Sequence, residues 1–163
     1  MYRHIARRLA VLFSAVGGLG FAPYAPGTAA SAATVLAIFL LFPISWQLML
    51  GTTIVLTLIA LPIVQYATDG SGDPSWVVID EVVGMLMASL SLFYVLPQTQ
   101  NELIVRLVLA FVLFRFFDIT KVAGVGMLEK LPGALGIMAD DLLAGLWAAL
   151  LSWVINLGLM RLF

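Results

Sequence analysis

Long apolar runs alternate along this chain with short stretches that contain proline, glycine and charged residues. Each run is continuous over enough residues to predict a helix rather than a strand. Several are shorter than the roughly 20 residues that cross a bilayer comfortably. The pattern predicts an all-α fold with four to five membrane-embedded helices. The five runs are residues 29–42, 46–66, 82–96, 103–117 and 142–159.

The start of the chain has a different pattern. Arg3, Arg7 and Arg8 precede a short apolar segment, an arrangement similar to a secretory signal. However, apolar sequence continues far beyond this segment, and glycines at 17, 18 and 20 interrupt it. We therefore expect a retained N-terminal helix that is amphipathic or partly inserted in the membrane.

Composition strengthens the membrane prediction. Of the 163 residues, 63% are hydrophobic and only 10% are charged, against roughly a quarter in soluble domains. The mean hydropathy is +1.10. A soluble protein of this size would lack the polar surface to cover its core, so we expect one integral-membrane domain over residues 1–163.

Several chemistries are excluded by what the sequence lacks. The net charge of −1 gives no reason to expect a nucleic-acid partner. The chain has no cysteine, which excludes disulfides, thiolate metal sites and a phosphocysteine mechanism. Its one histidine, His4, lies among the N-terminal arginines, which argues against a phosphohistidine mechanism. No pattern in the sequence indicates an oligomeric state.

The basic residues predict the orientation of the helices. Positive charge near the start places the N-terminus in the cytoplasm, and if the first segment does not cross, three polar loops share that side. Were the segment to cross, all three loops would move together. The loops are residues 23–28, 69–81 and 118–141. Of the 17 Asp, Glu, Lys and Arg residues, those expected on the outer side are Glu102, Arg106 and Arg161. Glu102 and Arg106 are four residues apart and can pair along a helix.

Two acid pairs stand where apolar runs begin. Asp80-Glu81 and Asp140-Asp141 are each followed by two aliphatic residues and one small residue, which would let the helices pack closely. Helix N-capping is one explanation for either pair. Two converging pairs favour a hard cation as their counter-charge. Carboxylates without His or Cys favour Mg²⁺ or Mn²⁺ over Zn²⁺.

A third polar group follows the fourth apolar run. Arg115, Asp118 and Lys121 are spaced three residues apart and so lie along one side of a helix. They could simply neutralise one another as a salt-bridge stripe. Alternatively, Asp118 binds the metal and Arg115 or Lys121 binds a phosphate.

Two glycine-containing loops are less specific. Pro26-Gly27-Thr28 precedes the first run, which predicts Thr28 as the N-cap and offers backbone amides to a phosphate. No lysine follows the last glycine, so this is not a P-loop. We interpret residues 69–74 as a solvated turn. Asp69 and Asp73 lack a third ligand nearby and are not expected to bind metal.

Four motifs together resemble those of the phosphatidylglycerophosphatase A family: PYAPGT (23–28), VIDEVVGM (78–85), FRFFDITK (114–121) and GIMADDLLAG (136–145). The resemblance covers nearly the whole chain. It implies a Mg²⁺-dependent enzyme of the bacterial inner membrane, with its site facing the cytoplasm. Its reaction would convert phosphatidylglycerophosphate into phosphatidylglycerol and phosphate during phospholipid biosynthesis. The chain departs from the family pattern at Val122, where the family usually has proline, which affects loop shape rather than charge.

The family motifs assign site residues by position: Thr28, Asp80, Glu81, Arg115, Asp118, Lys121, Asp140 and Asp141. The hypothesis is that the five acids, namely Asp80, Glu81, Asp118, Asp140 and Asp141, hold one or two Mg²⁺ ions. Arg115 and Lys121 would neutralise the phosphate, and Thr28 would contribute to substrate binding. Asp140 or Asp141 could orient the attacking water as general base, and an aspartyl-phosphate intermediate is the alternative route.

Two non-enzymatic functions compete with this hypothesis. An ion-coupled membrane carrier also places acids within helices, and a structural membrane subunit could have acids that only cap its helices. The acids are predicted at helix ends on one side rather than at the midplane, which argues against the carrier.

Overall fold

A computed structural model of the protein describes residues 2–70, 72–94 and 96–160, and Arg161 lies outside this part. Within it the chain is helical and contains no strand, which confirms the all-α prediction. Two 3₁₀ segments, Val16–Phe21 and Leu90–Phe93, connect or extend the helices. The α-helices are α1 Tyr2–Ser14, α2 Pro26–Leu41, α3 Trp46–Thr68, α4 Ile79–Ser89, α5 Gln100–Thr120, α6 Val125–Leu128 and α7 Ala134–Met160.

Local signals explain where three of the helices begin. Ser45 and Thr99 cap α3 and α5, since each side chain accepts a hydrogen bond from a backbone N–H three residues on, at 3.2 Å. Helix α2 begins differently. Its N-cap position is Ala25, in the left-handed conformation, and Pro26 follows at the first helical position. The prediction of Thr28 as N-cap is therefore wrong, because Thr28 already lies in the first turn.

The two acid pairs occupy different positions in their helices. Asp80 and Glu81 lie in the first turn of α4, as predicted. Helix α7 begins at Ala134, eight residues before the predicted run at 142–159, so Asp140 and Asp141 lie in its second turn. The prediction that both pairs stand at a helix start is wrong for this pair. A tight turn at Gly133, with φ of 59°, starts α7 earlier than hydropathy indicates.

Two helices are long and apolar enough to cross a bilayer, Trp46–Thr68 and Ala134–Gly158. Helices α2 and α4, of 16 and 11 residues, rise about 24 Å and 16 Å, less than the roughly 30 Å hydrocarbon core. Helix α5 has 21 residues but carries Glu102, Arg106, Arg115 and Asp118. The described residues therefore do not confirm a bundle of four to five spans.

The N-terminal segment forms the predicted helix, and its partial insertion in the membrane stays a prediction. Residues 2–9 of α1 are exposed, while Ala10 and Ser14 are buried and the helix packs on α3. Gly17 and Gly18 then take positive φ angles of 67° and 115°, which turn the chain away from a continuous helix. At 13 residues, α1 rises about 20 Å and is too short to cross the hydrocarbon core.

Helix α4 lies at the centre of the fold and packs against α2, α3, α5 and α7. Its closest neighbour is α7. A Cβ added to Gly84 would lie 2.6 Å from the Phe114 ring and 2.7 Å from the carbonyl oxygen of Asp141. Gly145 in turn lies directly against the Gly84 carbonyl. These two glycines let the backbones approach and bring the two acid pairs together.

The charged residues are divided between the two ends of the bundle. At one end lie the starts of α2 and α4, the end of α5 and the second turn of α7. At the opposite end of α5, Glu102 and Arg106 form the predicted pair, with 3.6 Å between charged atoms. The predicted convergence of the polar segments is therefore confirmed in the described part of the chain.

Replacing Gly84 by alanine should destabilise the protein by about 1–3 kcal/mol, because the new Cβ overlaps Phe114 and the α7 backbone. Gly51 offers a matched control, since it lies inside α3 with no neighbouring atom within 4 Å. There the same change should stabilise by about 0.5–1 kcal/mol through helix propensity. Thermal unfolding in detergent compares the two variants. Equal effects would mean that α4 and α7 are not in close contact.

Candidate active site

A polar cavity of about 240 Å³ opens at the charged end of the bundle. Its walls come from the first turns of α2 and α4, the loop before α4, the end of α5 and the second turn of α7. Every site residue assigned from the motifs lines it: Thr28, Asp80, Glu81, Arg115, Asp118, Lys121, Asp140 and Asp141. Four separate chain segments thus meet at one place.

Three of the acids form a compact group. Glu81 from α4, Asp118 from α5 and Asp141 from α7 each offer one carboxylate oxygen, and these oxygens lie within 4.8 Å of one another. Asp118 and Asp141 are buried, with 7% and 4% of their surface exposed. Buried like charges repel strongly unless a cation joins them. Three hard oxygen donors from three rigid helices suit Mg²⁺ or Mn²⁺.

The first acid of each pair has another role. The Asp80 carboxylate accepts a hydrogen bond from the Glu81 backbone N–H at 3.0 Å, and Asp140 accepts one from the Asp141 N–H at 2.9 Å. The other Asp140 oxygen contacts Lys121. Asp80 and Asp140 therefore lie beside the three-acid group of Glu81, Asp118 and Asp141 rather than within it.

Arg115 and Lys121 lie between the carboxylates. Arg115 forms ion pairs with Glu81 and with Asp118, the latter at 2.9 Å. Lys121 contacts Asp118 at 3.1 Å and Asp140 at 2.5 Å. The ion pairs expected from the alternative of a salt-bridge stripe along α5 are present, and they extend to acids of α4 and α7.

Lys121 reaches both of its partners because it lies just beyond α5. Its backbone takes a left-handed conformation with φ of 52°, and its N–H still donates to the Phe117 carbonyl at 3.0 Å. Burial opposes the charge on this side chain. The hydrogen bond and charge of Asp140 outweigh that effect and raise the pKa of Lys121, so the ammonium group stays charged.

Ser31 is a supporting residue that the motifs did not indicate. It is fully buried on α2, and its hydroxyl lies 2.9 Å from the Gly27 carbonyl and 3.1 Å from a Glu81 carboxylate oxygen. A Cβ on Gly27 would overlap the Glu81 carboxylate. The glycine and the serine thus hold Glu81 against α2. A small residue followed by serine four positions later was the only signal in the sequence.

The loop before α4 contributes Asp73, which we predicted to be part of a solvated turn. Asp73 is exposed but lines the cavity beside the other acids. Partial desolvation and the negative charge of Asp140 raise its pKa to about 6, although Lys121 opposes the shift. Asp69 behaves as expected for a surface residue and pairs with Arg7 at 2.6 Å. The two aspartates of this loop therefore differ in environment.

The start of α7 is fixed by a contact with α3. The Gln65 side-chain oxygen accepts a hydrogen bond from the backbone N–H of Ala134 at 2.9 Å. Gly133 approaches the same amide so closely that a Cβ would overlap it. This contact satisfies one of the unpaired N–H groups at the start of α7 and sets the position of Asp140 and Asp141 along the bundle.

Negative charge exceeds positive charge in the cavity. Six carboxylates line it, but only two basic side chains, Arg115 and Lys121, do so among the described residues. Arg115 and Lys121 already share three of the acids. The donor set therefore fits an additional divalent cation, which would restore the balance and draw the three acids together.

The family model described as Phosphatidylglycerophosphatase A matches residues 12–156. A Bacteroides thetaiotaomicron protein named "Putative phosphatidylinositol-3-phosphatase" is 36% identical over 91% of this chain and 96% of its own length. The Haemophilus influenzae protein named Phosphatidylglycerophosphatase A is 35% identical over 87% of this chain and 86% of its own. No solved structure matches the chain.

Replacing Asp141 by asparagine should stabilise the metal-free protein. The charges that act most strongly on Asp141 belong to Asp80, Glu81 and Asp118, so the neutral amide removes repulsion and can donate to the Asp118 carboxylate. Neutralising a buried, poorly compensated charge stabilises by about 1 kcal/mol or more, which is about 3 °C for a chain of this size.

Unfolding temperatures in EDTA at about pH 8, above the ordinary range of carboxyl pKa values, provide the measurement. Glu102→Gln is the matched control, because Glu102 lies in a partly exposed pair at the other end of α5 and its loss should change stability by less than about 1 kcal/mol. A large loss of stability in the Asp141 variant would show that a cationic partner already neutralises this carboxylate.

Proposed function

The chain belongs to the phosphatidylglycerophosphatase A family of lipid phosphatases, and we propose that it hydrolyses the terminal phosphomonoester of phosphatidylglycerophosphate. The products would be phosphatidylglycerol and inorganic phosphate, as a step of phospholipid biosynthesis. One observation carries the proposal. Three carboxylates from three helices meet two basic side chains in a single cavity at the end of an apolar bundle.

The proposed metal is Mg²⁺, and Glu81, Asp118 and Asp141 would hold it. Their oxygens are close enough to share one ion, and oxygen-only donors are those that Mg²⁺ prefers. Asp80 and Asp140 flank the group and would orient its ligands or contribute to a second ion. When bound, the cation supplies Lewis-acid polarisation of the phosphoryl oxygens and lowers the pKa of water.

Arg115 and Lys121 would bind the phosphate. The planar guanidinium of Arg115 matches two phosphoryl oxygens, while Lys121 provides a mobile point charge. Both are preorganised by carboxylates on two sides, so little side-chain entropy remains to be lost. Their charge would also stabilise the negative charge that develops on the leaving oxygen.

The first turn of α2 offers a complementary anion site. Gly27 and Thr28 line the cavity, and the first N–H groups of a helix lack partners within the helix. Such groups bind phosphate readily. Thr28 would thus contribute to substrate binding through its place in the first turn rather than as the N-cap.

Hydrolysis also requires a base for the attacking water. Asp140 and Asp141 are the candidates, since both are buried in the cavity wall. Asp140 is hydrogen-bonded to Lys121, which favours its charged form and weakens it as a base. Asp141 would hold the metal, and a metal-bound carboxylate is also a weak base, so Asp140 and Asp141 stay alternatives for this role. A carboxylate acting instead as nucleophile, with an aspartyl-phosphate intermediate, is the alternative route.

The proposed location is the bacterial inner membrane, with the cavity on the cytoplasmic side. Arg3, Arg7 and Arg8 favour a cytoplasmic N-terminus, and two helices are long and apolar enough to span. The outer faces of the helices expose large apolar side chains, for example Leu58 at 64% and Val105 at 62%. A phospholipid could therefore keep its acyl chains in the bilayer while its headgroup enters the cavity.

A second candidate is hydrolysis of a phosphatidylinositol 3-phosphate. One relative with 36% identity over most of this chain is named for that activity, and both reactions remove a phosphomonoester from a lipid headgroup. The proposed groups for metal and phosphate binding would serve either substrate. The inositol ring is larger than glycerol and would require more room at the mouth of the cavity, near Asp73.

Purified protein in mixed micelles should release phosphate from phosphatidylglycerophosphate in Mg²⁺, and the release should stop in EDTA. Phosphatidylinositol 3-phosphate at the same surface concentration tests the second candidate. Faster release from the inositol lipid would reverse the assignment. If correctly folded protein releases phosphate from neither lipid, the ion-coupled carrier or the non-enzymatic subunit becomes the better explanation.

Neutral variants of the three-acid group should each lose activity. Glu81→Gln, Asp118→Asn and Asp141→Asn should lower kcat/KM by more than the roughly 10–100-fold that follows loss of an outer-shell partner, because each removes a metal ligand. Their Mn²⁺ affinity, read by electron paramagnetic resonance, should fall in parallel. Glu102→Gln should retain both properties. Wild-type turnover in two of the three variants would contradict the metal assignment while leaving the family membership intact.

A further inference from the structure

A second cavity, of about 500 Å³, lies between α2, α3 and α4. Small side chains of α2 form one wall, with Ala30, Ala33 and Ala37, and larger apolar side chains of α3 face them. The hydroxyl of Thr34, which also lines it, already donates to the Ala30 carbonyl at 2.9 Å. The cavity is therefore almost wholly apolar, and we call it the α2–α3 groove.

The α2–α3 groove begins next to the polar cavity. On α2, Thr28 lines the polar cavity and Ala30 lines the groove. On α4, Glu81 lines the first and its neighbour Val82 lines the second. Helices α2 and α4 thus each line part of the polar cavity and part of the groove. Along each helix the lining changes from polar to apolar within less than one helical turn.

The dimensions of the groove limit what can occupy it. It follows α2 from Ala30 to Leu41, a rise of about 16 Å, close to half of a hydrocarbon core about 30 Å thick. Half of the hydrocarbon core is the depth that one acyl chain of a phospholipid occupies. The groove therefore has the length and the apolar lining that suit a hydrocarbon chain.

We propose that the α2–α3 groove holds one acyl chain of the lipid whose phosphate enters the polar cavity. The inference rests on the proposed phosphatase function and deepens it by giving the substrate a defined position. The end of the groove that lies farther from the polar cavity, at Leu41 and Leu48, is exposed. An acyl chain longer than the groove can therefore continue from this end into the bilayer.

The groove would act by alignment rather than by affinity. Bilayer tails are as apolar as the groove, so moving a chain between them gains little free energy. A chain fixed along α2, however, sets the depth of its headgroup relative to Arg115 and the three-acid group. Misplacing a reacting group by about 1 Å can slow a reaction up to roughly a hundredfold.

Ala37→Phe should fill the groove without burying a new polar group, since Ala37 lines it from an exposed position. Ala32→Phe is the matched control, because Ala32 is exposed on the same helix and does not line the groove. Phosphate release is compared for long-chain phosphatidylglycerophosphate and for a form with two short chains that do not reach Ala37. Wild-type release from the short-chain form tests the proposed function separately.

The Ala37 variant should lose about tenfold or more in kcat/KM on the long-chain lipid and less than about twofold on the short-chain lipid, while the Ala32 variant matches wild type on both. Unchanged activity on the long-chain lipid would overturn the inference. An equal loss on both lipids would also overturn it, because the substitution would then act on the catalytic cavity itself.

A binding readout makes the test independent of turnover. Phosphatidylglycerophosphate, whose phosphate would hold the headgroup in the polar cavity, carries a diazirine near the end of one acyl chain for this measurement. It is photolysed in vesicles that contain the protein and EDTA, which prevents turnover, and labelled peptides are identified by mass spectrometry. Labelling should concentrate on the end of the groove at Leu41 and Leu48 in wild type and the Ala32 variant, and be lost there in the Ala37 variant. Labelling spread evenly over the lipid-facing helices, unchanged by Ala37→Phe, would overturn the proposal.

Discussion

The contact between the backbones of α4 and α7 determines the rest of this structure. Because Gly84 and Gly145 have no side chains, the two helices approach until the carbonyl of one lies against the glycine of the other. Each helix carries an acid pair near the same end of the bundle, so the same approach places Glu81 and Asp141 side by side. Apolar packing along the rest of α4 and α7 therefore holds together carboxylates that would otherwise repel one another.

That arrangement reduces stability in order to create a site. Arg115 and Lys121 bridge the acids of three helices, yet six carboxylates surround the cavity. In a protein without function, neutral side chains would pack there at lower electrostatic cost. The buried hydroxyl of Ser31, bonded to Glu81, shows that even the orientation of one carboxylate is supported from α2. Rigid support of this kind is expected where acids must be positioned for a cation and a phosphate.

Prediction from the sequence succeeded for residues whose type alone makes their position energetically costly. A charge next to or inside an apolar run requires a partner, so the seven charged motif residues that line the cavity could be identified from the sequence. Thr28 is uncharged and was indicated by the family motif instead. Prediction failed where tertiary contacts determine the start of a helix or the position of a loop residue. Hydropathy starts the last helix after Asp141, whereas the turn at Gly133 and the contact with Gln65 start it at Ala134. Asp73 looked like part of an ordinary turn, because only the folded loop brings it to the cavity. Hydropathy also cannot separate an apolar helix buried in protein from one that spans lipid.

The short length of α4 follows from that distinction. An 11-residue helix surrounded by α2, α3, α5 and α7 does not need to match the thickness of a bilayer, because other helices cover its apolar sides. Its first turn can therefore carry two acids at the polar end of the bundle while its remaining residues pack in the core. The same helix lines the space between α2 and α3 through Val82 and Leu86, and this space is the apolar groove. A polar cavity and a chain-sized groove that share two helices match the two halves of a phospholipid, which is why one short central helix can organise both.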